Sequence, residues 1–231
     1  MTPSHREEQR RALAIVAHPD DIEFAAGGTV AGWVTRGWEV SLCVVTDGQR
    51  GTDGALSADR RAEQTAAAKA LGVDRPRFLG YMDAEVSPTL ELRAALADLL
   101  RLLRPHRVLT HSPRYAWAFP TTSHPDHRAV GTATLDAVYP GASIPSSVGS
   151  PAGLPWQVPE VWLFGDPEAN HFEDVTDHLA RKLAALRCHD SQLSARAGDE
   201  AQLRSRMAGA ARAAGLPDGR LAERFQILRY V

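Results

Sequence analysis

Leu13-Ala14-Ile15-Val16-Ala17-His18-Pro19-Asp20-Asp21-Ile22-Glu23 sets an unbroken apolar run directly against a dense polar cluster. A run this short, rich in branched residues and without polar alternation, reads as a strand buried on both faces, the kind found inside parallel sheets. Pro19 and the two aspartates end it in a turn. Working outward, Val40-Ser41-Leu42-Cys43-Val44-Val45 reads as a second such strand, with weaker ones at 77–79, 108–110 and 161–164. Between them, 27–37, 58–72, 89–104 and 127–139 carry apolar residues at helical spacing; Gly72 stops the second helix and Pro105 follows the third. This alternation predicts an α/β fold, a Rossmann-like, mostly parallel sheet with helices on both faces. The Pro-, Gly- and Ser-rich stretch 140–159 is expected to be a long loop at the rim of a pocket, inside a single domain spanning 1–231. The run after it supplies the strand at 161–164 and two helix patterns, 177–190 and 199–215.

The 231 residues carry Lys+Arg 26 against Asp+Glu 28, a net charge of −2. Without a basic surplus the chain lacks the footprint of a nucleic-acid binder or of a protein held electrostatically on an anionic membrane. Its longest purely apolar run, 12–17, is far short of the roughly 20 residues that span a bilayer. The charged N-terminus, 1–11, shows no small-residue cleavage site. Two cysteines, Cys43 and Cys188, form no disulfide framework, which fits a reducing compartment. A cytoplasmic protein acting on a small molecule is expected, with neither nucleic acid nor membrane insertion.

Ligands of open parallel sheets bind outside the carboxyl ends of the strands. His18 and Asp21, three apart across a proline turn at such an end, can face one point, with Asp20 projecting a second carboxylate beside them. His124-Pro125-Asp126-His127 repeats the pattern after the strand at 108–110. Two such elements could converge on one ion. Catalytic zinc takes three protein ligands, here two His and one Asp, and leaves a fourth position for water. The ion acidifies that water and polarises a carbonyl. A neighbouring carboxylate can take the water's proton, and an imidazole opposite can stabilise the oxyanion and protonate a leaving amine. The competing reading treats both motifs as polar turns that cap the helices after them.

Ala17-His18-Pro19-Asp20-Asp21, then Gly27-Gly28-Thr29, with His124-Pro125-Asp126-His127-Arg128-Ala129-Val130-Gly131 downstream, resembles the PIG-L/LmbE family of zinc-dependent de-N-acetylases. The resemblance takes in Thr46-Asp47-Gly48, Arg60-Arg61-Ala62-Glu63, Phe78-Leu79-Gly80, His189-Asp190-Ser191-Gln192 and Glu223-Arg224-Phe225. It implies His18, Asp21 and His127 as zinc ligands and Asp20 as general base. It also implies His124 as the imidazole serving the oxyanion and leaving amine, with Asp126 orienting it. Arg60 and Asp83 fall where related enzymes hold substrate. Some members carry a Tyr two residues before the second motif; Thr122 stands there, and Tyr115 is the candidate replacement.

The expected activity is removal of the acetyl group from an N-acetylglucosamine-type amino-sugar conjugate. Two rivals remain: an amidase for a larger acyl group, and a non-catalytic sugar-binding module. A homo-oligomer is left open. Tyr115, Trp117 and Phe119 read either as an aromatic wall for a sugar or as core. His111 ends a strand and is a candidate pocket residue, and His189 is placed on the active-site side by the resemblance. Gly27, Gly28 and Gly32 lack dinucleotide spacing and are read as close approach of the first helix to the sheet.

Overall fold

Strand β1 (Arg11–Val16) is buried from Ala12 onward. A computed structural model describes residues 9–51, 57–117, 120, 123–145, 153–193 and 199–230. Side chains of β1 alternate between two layers. Ala12, Ala14 and Val16 join Trp33, Leu42, Val44, Leu109 and Trp162 on one face. Leu13, Ile15 and Ala17 join Cys43, Val45, Leu96, Leu100 and Val130 on the other. Both faces are covered, so the strand carries no polar alternation. Full burial of Leu13 and Ile15 contributes about 1.5–3 kcal/mol each.

After β1 come α1 (Asp21–Thr35), β2 (Glu39–Thr46), α2 (Ser57–Leu71), β3 (Arg77–Tyr81), α3 (Leu90–Leu103), β4 (Arg107–His111) and α4 (Pro125–Asp136). β5 (Glu160–Phe164), β6 (His171–Asp174), α5 (Leu179–Leu186), α6 (Asp190–Leu193), α7 (Asp199–Ala213) and β7 (Ala222–Arg229) follow. The sheet order is β3-β2-β1-β4-β5-β7-β6. β1 pairs in parallel with β2 (Ala14 opposite Leu42) and with β4 (Ala14 opposite Leu109). Strand order reverses between β1 and β4, which opens the crevice of a topological switch point at their carboxyl ends.

The expected five parallel strands are present, and β6 and β7 add an antiparallel edge that the sequence reading omitted. His171-Phe172-Glu173-Asp174 and Ala222-Glu223-Arg224-Phe225-Gln226-Ile227-Leu228-Arg229 are half polar and lack the continuous apolar signal. Helix α1 begins six residues before the expected 27, directly behind the first motif, and kinks at Ala26, whose φ is −145°. The kink frees the N–H groups of Gly28 and Thr29, which donate to the Glu223 carboxylate at 3.0 and 2.8 Å. Lys182 Nζ lies 2.5 Å from that carboxylate and 2.9 Å from Phe24 O. This buried pair joins β7, α5 and α1. A Cβ at Gly28 would sit 2.7 Å from Val175 Cβ. The close approach that requires glycine is therefore to the chain entering α5, not to the sheet.

The described part of 140–159 begins in a π-helical turn, Ala137–Ala142, held by Arg101 donating to Gly141 O and Ile144 O. With Arg229 and Tyr230 it borders a groove of about 580 Å³. That groove lies at the amino ends of the parallel strands, since Arg229 faces Glu160 at the start of β5. The pocket expected beside this loop is thus at the opposite end of the sheet from the His-Pro-Asp motifs; residues 146–152 lie outside the described residues. Among the described residues no helix is long and apolar enough to cross a membrane.

Candidate active site

Both motifs meet at the switch point. His18 leaves β1, Asp21 starts α1, and His127 sits in the first turn of α4. Gly131 lets α4 seat against the end of β4: a Cβ there would lie 2.4 Å from His111 O. His18 Nδ1 lies 3.2 Å from His127 Nε2 and 3.5 Å from Asp21 Oδ2, and His127 Nε2 lies 3.1 Å from Asp21 Oδ1. These separations lie at or slightly below the edge of a tetrahedron with metal–ligand bonds of about 2.0–2.2 Å, roughly 3.3–3.6 Å. The donor set, two imidazoles and a carboxylate, suits zinc. Overlapping groups with ligand atoms within 4.8 Å are His18, His124 and His127; Asp21, His111 and His127; and His18, Asp83 and Asp126.

The second nitrogen of His18 faces away from that triangle. Its Nε2 lies 3.0 Å from Asp126 Oδ2 and 3.2 Å from Asp83 Oδ1. Asp126 is itself fixed by N–H groups of Ala84 (2.7 Å) and Val86 (3.2 Å). Asp83 Oδ2 accepts from Arg50 N. The Asp126 carboxylate therefore rests on His18, and its backbone N–H, not its side chain, donates to His124 Nδ1 at 3.2 Å. That bond leaves Nε2 of a neutral His124 carrying the proton. His124 stands edge-on to His18, with ring centroids 5.0 Å apart.

Asp20 occupies the N-cap of α1 in a left-handed conformation, φ 93°, yet its side chain makes no capping bond. The capping reading is not realised at this residue. Arg60, only 3% exposed, spends its guanidinium on Pro19 O (2.6 Å) and Gly48 O (3.1 Å), and lies 3.5 Å from Asp20 Oδ2. It backs the site from α2 instead of lining an open surface, whereas Asp83 sits against His18. Arg50 pairs with Glu85 at the surface.

Burial pulls the His18 imidazolium down, but hydrogen bonds to Asp126, Asp21 and Asp83 push it up to about 12. Burial and the Asp21 charge push Asp20 up to about 6, against Arg60. Burial raises Asp21, yet the His127 and His111 charges hold it well below the usual carboxylate range. His111 is pushed down to about 4 by burial and by His127. His124 is lowered by burial and by the His18 and His127 charges, which outweigh Asp126 and Asp83.

Sequence reasoning placed His111 only as a pocket candidate. Its Nε2 lies 3.1 Å from Asp21 Oδ2 and accepts the Ala17 N–H at 3.1 Å, and its ring stacks on His127. Gln64 went unnoticed, since one polar residue in a helical pattern carries no spacing signal, and Glu23 stood only as the end of the polar cluster after β1. His189 is buried with Nε2 3.3 Å from Glu23 Oε2, one layer behind Asp20. Tyr115 packs against Trp117, whose ring is 85% exposed, and beneath the Arg128 guanidinium. Ser123 Oγ, next to His124, accepts the Ala116 N–H and ties this arch to the site. Phe119 and Thr122 lie outside the described residues.

Among families, PIG-L, GlcNAc-PI de-N-acetylase, matches residues 13–138. The chain is 34% identical to the diacetylchitobiose deacetylase of Thermococcus kodakarensis, across 79% of this chain and 70% of that protein. It is 31% identical to the 1D-myo-inositol 2-acetamido-2-deoxy-alpha-D-glucopyranoside deacetylase of Mycobacterium sp. (strain KMS), across 86% of this chain and 79% of that one. In structure it is similar to the N,N'-diacetylchitobiose deacetylase of Pyrococcus horikoshii, with a TM-score of 0.84, 29% identity, and coverage of 96% of this chain and 85% of that chain.

Proposed function

The chain belongs to the PIG-L, GlcNAc-PI de-N-acetylase, family, and on that premise we propose that it is a zinc-dependent hydrolase removing the acetyl group from an N-acetylglucosamine-type amino-sugar conjugate. The observation that carries this reading is the convergence of His18 Nδ1 and His127 Nε2, 3.2 Å apart, on the Asp21 carboxylate, whose Oδ2 lies 3.5 Å from the first and whose Oδ1 lies 3.1 Å from the second. These three residues would hold the ion. His111 is set aside because its Nε2 lone pair already takes the Ala17 N–H. When bound, zinc brings a water's pKa toward 7 and polarises an amide oxygen.

The chain's own groups supply the remaining chemistry. Asp20, not engaged as a helix cap, takes the proton of the attacking water. Neutral His124 donates from Nε2 to the oxyanion that forms at the amide carbon. Asp20, which then carries the water's proton, gives it to the departing amine, so acetate and a free amino sugar result, while His124, its Nδ1 occupied by the Asp126 N–H, keeps its proton at the oxyanion. Asp126 and Asp83 hold the His18 ring. Arg60 holds the turn carrying Asp20, and we assign it to positioning ahead of direct substrate contact. The exposed Tyr115–Trp117 pair offers a face for the sugar's aglycone side. Two free cysteines, one of them buried, fit a cytoplasmic enzyme.

The test is acetate release from N-acetylglucosamine, N,N'-diacetylchitobiose and an N-acetylglucosaminyl inositol, by zinc-loaded protein and by a chelated control. Chelator-sensitive release is expected. Stoichiometric zinc binding with turnover of bulky acyl amides alone would reassign the enzyme as an amidase for larger acyl groups. Sugar binding without any turnover would make it a binding module.

A further inference from the structure

One peptide unit lies between His18 and Asp21 in an unusual state, and one helix holds both of its ends. Pro19 O accepts from Arg60 Nη2 at 2.6 Å. Asp20 N–H, across the same peptide bond, donates to Gln64 Oε1 at 2.9 Å. Arg60 and Gln64 are four apart on α2 and so project from one face. The residue that follows this peptide is Asp20 at φ 93°, a left-handed conformation that a side chain disfavours and that persists only where the surroundings enforce it.

Gln64 cannot easily turn its amide over. Its Nε2 donates to Glu23 Oε1 at 2.8 Å, and Glu23 and Gln64 are both fully buried. Flipping the amide would place NH2 against the Asp20 N–H and an oxygen against a carboxylate, two repulsions in place of two bonds. Glu23 belongs to α1, so the line Asp20 N–H, Gln64, Glu23 ties the turn to helices on both sides. Arg60 is held in turn by Gly48 O, and a Cβ at Gly48 would lie 2.4 Å from its Nη1.

Resting on the deacetylase reading, we propose that Gln64 is a positioning residue which, with Arg60, clamps the Pro19–Asp20 peptide and so aims the Asp20 carboxylate at the attacking water. The geometry separates this role from metal holding: neither Gln64 nor Arg60 touches His18, Asp21 or His127 through a hydrogen bond described above. Loss of Gln64 should leave the ion and the substrate in place and misdirect the base.

The test uses the full zinc-loaded chain with N,N'-diacetylchitobiose as probe. Three variants are compared: Gln64→Met, Gln64→Glu, and the swap Glu23→Gln/Gln64→Glu. In Gln64→Met, exchange of the Asp20 amide, followed by NMR, should accelerate about tenfold, the worth of one net hydrogen bond. Its kcat should fall about 10–100-fold with KM within about twofold and zinc stoichiometry unchanged. Gln64→Glu alone sets two carboxylates together and should lose a similar factor. The swap restores an acceptor for Asp20 N–H and a donor between positions 23 and 64, and should recover kcat to within about threefold of the parent.

Wild-type kcat in Gln64→Met overturns the clamp. So does a loss of kcat with an unchanged Asp20 amide, or one tracked by loss of zinc. If the wild-type protein deacetylates nothing, the deacetylase reading fails on its own. The exchange rate then decides the clamp, and an unaltered Asp20 amide in Gln64→Met overturns it.

Discussion

The carboxylate of Asp126 reaches from the first turn of α4 to Nε2 of His18, 3.0 Å away. With two backbone N–H groups pinning the same carboxylate, the His18 ring is turned so that Nδ1 faces His127. Carboxylates placed behind a ligating imidazole fix its tautomer and raise its basicity, and their removal costs about 10–100-fold in metal affinity. Asp126→Ala should weaken zinc binding by that factor, as read by competition with a chromophoric chelator. Unchanged affinity with impaired turnover would instead return Asp126 to a role on His124.

Zinc binding should be steeply pH-dependent. Although burial opposes it, hydrogen bonds to Asp126, Asp21 and Asp83 keep the His18 proton up to about 12. A raised imidazole pKa means that the proton's contribution to the fold is full below about 6.5 and is lost only as pH rises through about 12. Between pH 6 and 8 an incoming ion must therefore displace that proton, and apparent affinity should rise about tenfold per pH unit. Calorimetry in buffers of different ionisation enthalpy should report proton release on binding. A flat profile with no release would place a neutral His18 in the ion-free protein.

The parallel half of the sheet was legible because each strand announces itself: β1, buried on both faces, can only be spelled with apolar residues. β6 and β7 were not, because β6 is half-buried throughout and β7 turns Arg224 and Arg229 to solvent, while Glu223 is polar for a tertiary reason, capping the kink in α1. The His-Pro-Asp motifs pointed to the candidate site because short turns bring His18 and Asp21 together by local geometry alone. Asp126 illustrates the limit. The family resemblance implied that it orients His124, while the fold brings His18 from more than a hundred residues away to the carboxylate. Gln64 was invisible for a related cause: its partners, Asp20 and Glu23, lie more than forty residues off and meet it only in the folded chain.

Lys182 and Glu223 form a pair with both side chains essentially inaccessible to water. Glu223 also accepts the two N–H groups freed at the α1 kink, and Lys182 also donates to Phe24 O. Removing one partner strands a buried charge, which costs about 3–5 kcal/mol. Lys182→Met should therefore lower Tm by about 6–20 °C for a chain of this size. Lys182→Met/Glu223→Gln, which strands no charge, should recover part of the loss. Scanning calorimetry separates the cases, and a single variant as stable as the parent would mean that water reaches the pair.

Asp20 and His124 flank the ligand triangle and should fail in different ways. Asp20 is pushed up to about 6 by burial and by Asp21, against Arg60, which suits a base that works near neutral pH. His124, whose Nδ1 accepts the Asp126 N–H, presents its proton on Nε2 to the oxyanion. Both Asp20→Asn and His124→Ala should retain stoichiometric zinc and lose about 10²–10⁴-fold in kcat. The leaving group tells them apart. On an N-acetyl arylamine, whose departing nitrogen is far less basic, a residue needed to protonate the amine matters less. The Asp20→Asn deficit should therefore shrink by about tenfold or more on that substrate, while the His124→Ala deficit stays constant. A His124→Ala deficit that shrinks instead would make His124 the donor to the amine, and loss of zinc in either variant would make that residue a ligand.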